Sequence, residues 1–194
     1  MSIIHLQQIN KKIIRHTPIG SVGIIWSEIK KHPLIIHVLL SRPGLSTEEH
    51  ASELFPDSRK SSCAEIDAIA DSIRAYLEGA NVKFSLDVLD LSPYTQFQKS
   101  VLRAQYAIPR GYVSTYGLIA AHVGASGGAR AVGNVMACNP FPLVIPCHRT
   151  ILSNLYLGGF QSGADIKRAL LEREGIIFDE QGRVICKRLH YAPA

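Results

Sequence analysis

Short β-branched runs dominate the first part of the chain. Ile13-Ile14, Val22-Gly23-Ile24-Ile25-Trp26 and Leu34-Ile35-Ile36-His37-Val38-Leu39-Leu40 are separated by turn residues at Thr17-Pro18-Ile19-Gly20 and Lys30-Lys31-His32-Pro33. That pattern predicts two or three antiparallel strands. Residues 41–60, rich in proline, serine and charge, read as a loop. Ile66, Ile69, Ala70, Ile73 and Leu77 then recur at helical spacing, and Gly79 is a stop. No cluster of polar residues in this stretch demands a chemical explanation, so residues 1–91 are expected to be an α/β support domain.

The texture turns helical near Leu91-Ser92-Pro93. Ser92 is the expected cap of a helix with Pro93 at its first position; Phe97, Val101, Leu102 and Tyr106 form one apolar stripe that ends before Pro109-Arg110-Gly111. Two brief helices should follow, the first from 115 to about 123 with Ile119 and Ala120 inward, the second from 129 to 138. The break between them, Gly124-Ala125-Ser126-Gly127-Gly128, makes the pair similar to a helix-turn-helix, although any helical hairpin looks alike. Residues 157–163 read as a loop, 165–173 as a helix with Ile166, Ala169 and Leu170 on one face, and 176–186 as a terminal hairpin around Glu180-Gln181-Gly182. The fold class expected is α/β of the α+β kind, with a second domain over 92–194.

Composition narrows the setting. The 194 residues are 46% hydrophobic and 19% charged, as in a globular protein. No apolar run approaches the roughly 20 residues that span a bilayer, and the start, Met1-Ser2-Ile3-Ile4-His5, lacks a charged-then-apolar signal pattern. A cytoplasmic protein is expected, or a nuclear one in a eukaryote. Cys63, Cys138, Cys147 and Cys186 show no metal-type spacing and should be free thiols. The scattered histidines His5, His16, His32 and His37 do not form a ligand pattern with Cys63 either, so no metal is expected. A formal net charge of +5 and a pI near 9.1 favour an anionic partner.

The candidate chemistry lies in Pro146-Cys147-His148-Arg149, reached through Asn139-Pro140-Phe141-Pro142-Leu143-Val144-Ile145. A free thiol has a pKa of about 8.5, so a nucleophilic cysteine needs a base or a positive charge beside it. His148 and Arg149 offer one of each. Most free cysteines are small buried hydrophobes, but prolines that fix the backbone just ahead of Cys147 weaken that alternative. In the helix over 129–138, Ala129, Ala131 and Gly133 surround one long cation, Arg130. Such a helix can approach another surface closely and insert a guanidinium; a packed core helix with Arg130 in solvent is the plainer alternative.

These pieces in this order resemble the O6-alkylguanine-DNA alkyltransferases, the methylated-DNA-protein-cysteine methyltransferases. The likeness is dense from about 92 to 175 and looser from 17 to 83, where Thr17-Pro18-Ile19-Gly20 leads into a strand. It implies an N-terminal ribonuclease-H-like antiparallel sheet domain and a helical C-terminal domain with a helix-turn-helix. Carried over by position, Cys147 is the alkyl acceptor, His148 its base through a bound water, and Glu174 the carboxylate that orients His148, a nucleophile-base-orienter chain. Asn139 braces the turn before the active site. Tyr116 offers a proton to the flipped base, whose anion a donor stabilises. Arg130 fills the space of the extruded nucleotide, with Thr115, Ala129, Ala131 and Gly133 along the DNA-facing surface, docked in the minor groove. Pro142, Thr150, Gly158, Phe160 and Gln161 fall at the alkylguanine pocket. Phe160 replaces a usual tyrosine, Thr150 a common valine, and Gln161-Ser162-Gly163 departs from the usual continuation. Some relatives carry tryptophan at the acceptor position, and Cys147 separates this chain from them.

The function expected is single-turnover repair of double-stranded DNA containing O6-alkylguanine, with O4-alkylthymine as a further candidate, by a monomer that uses no cofactor. A helix-turn-helix regulator or damage sensor with a structural Cys147, and a cysteine hydrolase built on Cys147, His148 and Glu174, are the rivals. Stoichiometry separates them: one alkyl group per chain, none, or turnover.

Overall fold

The apolar runs of the first unit become three long antiparallel strands, β1 (Ile9–Thr17), β2 (Gly20–Ile29) and β3 (His32–Leu40), with β2 in the middle. Successive strand residues face opposite ways, yet Ile24 and Ile25 are both fully buried. The central strand is therefore covered on both faces, which explains its unbroken apolar run. Helix α1 (Thr47–Leu54) covers the Ile25 face, where Ala51 joins Ile25 and Leu39 in one cluster. Strand β4 (Arg59–Lys60) adds to the far side of β1 in parallel, giving the order β3-β2-β1-β4. Helix α2 (Ala64–Leu77) buries Ile66, Ala70, Ile73 and Leu77, as its spacing predicts. The structure, a computed structural model, describes residues 8–193, which divide into two units between Asp90 and Leu91. The segment Met1 to His5, read above for a signal pattern, lies outside the described residues.

The expected loop over 41–60 holds the eight-residue helix α1 and ends in β4. Ser46 and Glu49 form a reciprocal capping box: Ser46 Oγ accepts from the Glu49 N–H at 3.2 Å, and Glu49 Oε2 accepts from the Ser46 N–H at 2.9 Å. Two otherwise unpaired N–H groups are satisfied at once, which starts a helix in a stretch too polar to show an apolar period.

In the second unit, α3 (Gln96–Ala107) starts later than Ser92-Pro93 suggests. Thr95 is the cap, bonded reciprocally with Gln98, while Ser92 and Pro93 lie in a turn closed by the Tyr94 N–H on the Leu91 carbonyl at 3.3 Å. The helices α4 (Tyr116–His122), α5 (Ala129–Ala137) and α6 (Ala164–Arg173) follow the sequence pattern. Strand β5 (Ser114–Thr115) pairs in parallel with β6 (Thr150–Ile151), and β7 (Ile177–Phe178) with β8 (Val184–Ile185) makes the terminal hairpin. Val113, Ile151, Leu171, Ile176 and Val184 form one core that joins α6 to these short strands. Among the described residues no helix is long and apolar enough to cross a membrane.

One half-buried histidine makes the first unit acid-sensitive. Burial, then the neighbouring His50 and Arg42, lower the His37 pKa from 6.5 to about 4. The folded state therefore holds fewer protons than the unfolded chain between these values, so stability is full above pH 6.5 and declines as pH falls towards 4. Denaturant melts read through Trp26, the single tryptophan, should lose stability more steeply in this window for the native chain than for His37→Gln. Equal slopes would remove His37 as the cause.

Candidate active site

Cys147 opens one 3₁₀ turn, Cys147–Arg149, directly ahead of β6. Cys147 is half-buried, whereas His148 and Thr150 are fully buried and Arg149 nearly so. The approach over 139–146 is buried throughout. Asn139 shapes that approach: its Nδ2 donates to the Ile145 carbonyl at 2.9 Å and its Oδ1 accepts from the Phe141 N–H at 3.1 Å, and the same side chain hydrogen-bonds Cys147. Inside the span, Leu143 takes a left-handed φ of 72°. That conformation costs a leucine on the order of 1–3 kcal/mol and persists only where the surroundings impose it.

His148 Nε2 stands 3.0 Å from Glu174 Oε1. Arg149 grips the same carboxylate as a fork, Nε on Oε2 at 2.8 Å and Nη2 on Oε1 at 2.6 Å, and its Nη1 donates to the Ile108 carbonyl at 2.6 Å. The cation that the sequence puts beside the thiol is thus directed at Glu174. Burial alone would raise the Glu174 pKa, but the bonds from His148 and Arg149 prevail and hold it well below the carboxylate range. Burial lowers His148, with Glu174 opposing, and raises Cys147, opposed by Asn139 and the charge of Lys167. Both shifts favour the neutral forms, thiol and imidazole.

A helix end delivers Glu174. The N–H of Ile176 bonds the Leu171 carbonyl and the N–H of Gly175 bonds that of Glu172, both at 3.0 Å, with Gly175 at a left-handed φ of 88°. This is a Schellman turn, with Ile176 packed against Leu171 as the motif requires. It ends α6 with Glu174 as the cap residue.

The short β5–β6 pair places Tyr116. Ser114 and Thr115 align with Thr150 and Ile151, so the first residue of α4 lies beside the strand that leaves the reactive turn. Burial and nearby Cys147 raise the Tyr116 pKa. Thr115 is buried and caps α4 by accepting from the Leu118 N–H at 3.3 Å. On α5, Arg130 and Ala131 are exposed and Ala129 is half-buried; Gly133 lies towards the Tyr116 ring, where an added Cβ would stand 3.9 Å away.

The residues assigned to the pocket separate. Pro142 is buried, and the Thr150 hydroxyl donates to Gln105 Oε1 inside the core. Gly158 needs its left-handed φ of 69°, and a Cβ there would come within 3.1 Å of Leu152. Phe160 is half-buried, Gln161 donates to the Ala137 carbonyl, and Ser162 is buried. Two residues that sequence reasoning passed over are built into this region. Lys167, fully buried, donates to the carbonyls of Thr150 at 2.7 Å, Leu157 at 2.5 Å and Gly159 at 3.3 Å. Its spacing with Leu170, Leu171 and Glu174 marks the inner face of α6 and could have revealed it. Gln105 likewise follows Val101 by four on the buried stripe of α3.

Residues 96–176 match the model of the 6-O-methylguanine DNA methyltransferase, DNA binding domain. A methylated-DNA–protein-cysteine methyltransferase of Methanothermobacter thermautotrophicus is 45% identical over 164 residues, which cover 84% of this chain and 85% of that protein. The crystal structure of Mycobacterium tuberculosis O6-methylguanine methyltransferase is similar with a TM-score of 0.68 at 29% identity, covering 86% of this chain and 93% of that one. The Mycobacterium tuberculosis OGT in complex with DNA gives a TM-score of 0.66 at 30% identity over 85% and 92% of the two chains. With that likeness along most of its length, the chain belongs to the methylated-DNA–protein-cysteine methyltransferase family.

Lys167 has a pKa lowered from 10.5 to about 8 by burial, with Cys147 acting against that shift. Lys167→Met removes both a cation near the sulfur and the donor to three carbonyls. Reaction of Cys147 with iodoacetamide should move to higher pH, and amide exchange should quicken over 157–159. An unchanged pH midpoint would show that Lys167 contributes no field at the thiol.

Proposed function

We infer that this chain repairs DNA by direct, single-turnover transfer of an alkyl group from O6-alkylguanine to Cys147 Sγ, with O4-alkylthymine a further candidate substrate. The observation that carries the reading is the buried His148–Glu174 pair next to the half-buried Cys147, within a chain of this family. His148 takes the thiol proton through one water. Sulfur attacks the alkyl carbon, the S–C bond forms as the C–O6 bond breaks, and the electron pair remains on guanine. Tyr116, kept a phenol by its raised pKa, gives the proton that neutralises this anion. The thioether left on Cys147 has neither a carbonyl for water to attack nor a good leaving group, so each chain acts once. The chemistry needs no cofactor.

The surface reading follows from the same family. We take α4 and α5 as a helix-turn-helix that enters the minor groove, with exposed Arg130 filling the space of a flipped nucleotide and the small residues Ala129 and Ala131 permitting close approach. Gly133 and Thr115 act behind that surface, the first beside Tyr116 and the second as the cap of α4. Phe160, Gly158 and Gln161, with Pro142 and Thr150 behind them, would bound the alkylguanine pocket. The DNA complex of the similar Mycobacterium tuberculosis structure and the net charge of +5 support DNA as the partner. The strand order β3-β2-β1-β4, with β4 parallel to β1, supports a ribonuclease-H-like reading of the first unit, and we take the protein to act as a monomer.

Incubation with duplex DNA carrying O6-methylguanine should add one methyl group per chain by intact mass, and peptide mapping should find it on Cys147. Cys147→Ser should take up none while binding DNA nearly as before. Label on Cys63, Cys138 or Cys186 with Cys147 clean would overturn the assignment, and continued product release beyond one equivalent would favour a hydrolase. Arg130→Ala tests the finger. An inserted arginine offsets an unstacking cost of about a few kcal/mol on duplex DNA and none on a free base. The variant should therefore react slowly with the duplex and at nearly the native rate with free O6-benzylguanine. Equal slowing on both would place Arg130 in the chemical centre or the fold.

A further inference from the structure

Gln105 sits in the last turn of α3 and is fully buried. A buried primary amide needs partners for both its donor and its acceptor ends, and Gln105 finds them on one short turn. Its Nε2 donates to the Pro146 carbonyl at 2.6 Å, and its Oε1 accepts from Thr150 Oγ1. The amide can face only this way, because a carbonyl oxygen accepts and never donates. Pro146 precedes the reactive cysteine and Thr150 follows Arg149, so a single planar group spans Cys147, His148 and Arg149. Pro146 has no N–H, which leaves its carbonyl as its only main-chain hydrogen-bonding group. That oxygen also accepts from the Arg149 N–H at 2.9 Å, closing the turn from within while Gln105 holds it from α3. On the other side the Thr150 carbonyl is held by Lys167 at 2.7 Å.

We propose that Gln105 is a positioning residue for alkyl transfer: clamped between the Pro146 carbonyl and the Thr150 hydroxyl, its amide fixes the path of the reactive turn and so the aim of Cys147 Sγ at the alkyl carbon. The inference rests on Cys147 being the alkyl acceptor. Displacement at carbon requires the sulfur in line with the breaking C–O bond, and a misplacement of about 1 Å can slow such a step about a hundredfold. The partner hydroxyl makes Gln105 and Thr150 a matched pair, since valine would fill the same volume at 150 and leave Oε1 without its donor.

The test is the double variant Gln105→Met/Thr150→Val, which removes amide and hydroxyl together and leaves neither buried without its partner. Three quantities are measured on each protein: the saturating single-turnover rate on an O6-methylguanine duplex, duplex affinity, and the melting temperature. Gln105→Met alone should lose rate and stability, because the Thr150 hydroxyl is stranded. Adding Thr150→Val should recover the melting temperature but not the rate, which stays about tenfold or more below native at unchanged duplex affinity. A native rate in the folded double variant overturns the proposal. Should that variant melt below the assay temperature, Thr150→Val decides: a native rate overturns the proposal, and a loss that Thr150→Ser restores supports it. Failure of the native protein itself to take up the methyl group on Cys147 would count against the functional reading, so the two failures are distinct.

Discussion

The Glu174 carboxylate, shared between His148 and Arg149, is the interaction on which the rest of the site depends. An ionised carboxylate taken out of water costs several kcal/mol unless it is paired and hydrogen-bonded. Arg149 supplies the pairing with a two-pronged fork, the strong geometry for a carboxylate. The fork also affects His148. A buried carboxylate facing an imidazole alone would favour the protonated ring, which cannot accept a proton from a thiol. With Arg149 on the same oxygen, burial prevails at His148 and its pKa falls. The ion pair also joins the end of α6 to the turn that carries Cys147, and the Schellman turn at Gly175 fixes which residue of α6 arrives there.

The turn that carries Cys147 has little regular structure of its own, three residues of 3₁₀ helix followed by a two-residue strand. Its rigidity comes from buried side chains around it. Asn139 takes the Ile145 carbonyl, Gln105 the Pro146 carbonyl and Lys167 the Thr150 carbonyl, each from a different part of the second unit. Polar groups in a core are costly when half satisfied and specify one geometry when fully satisfied. Here they surround the half-buried Cys147, so the main chain on both sides of it is held.

Much of this was legible in the sequence because it depends on period or on adjacency. The three strands, α2 and α4 to α6 follow from the spacing of apolar residues, and Cys147-His148 is visible as a dipeptide. Helix α1 was hidden because its signal is a capping box inside a polar stretch, and Ser92-Pro93 imitates a helix start that Thr95 and Gln98 actually provide. Arg149 looked like a cation for the thiol because sequence shows neighbours along the chain; its partner stands 25 positions away. Glu174 came only through family resemblance. Lys167 and Gln105 escaped because a polar residue in an amphipathic helix is read as solvent-facing, although both lie at the spacing of buried positions.

The same network explains why the resting site does not rely on an ionised sulfur. Burial raises the Cys147 pKa despite the bond from Asn139 and the charge of Lys167, and Arg149, the adjacent cation, is directed at Glu174. A thiol reacts with electrophiles far more slowly than a thiolate. For a protein consumed in a single transfer, a standing thiolate would be lost to any passing electrophile or oxidant. In the mechanism we propose, a neutral Cys147 next to a neutral His148 moves its proton when the substrate fills the site and sulfur begins to bond, which would link reactivity to the presence of the lesion.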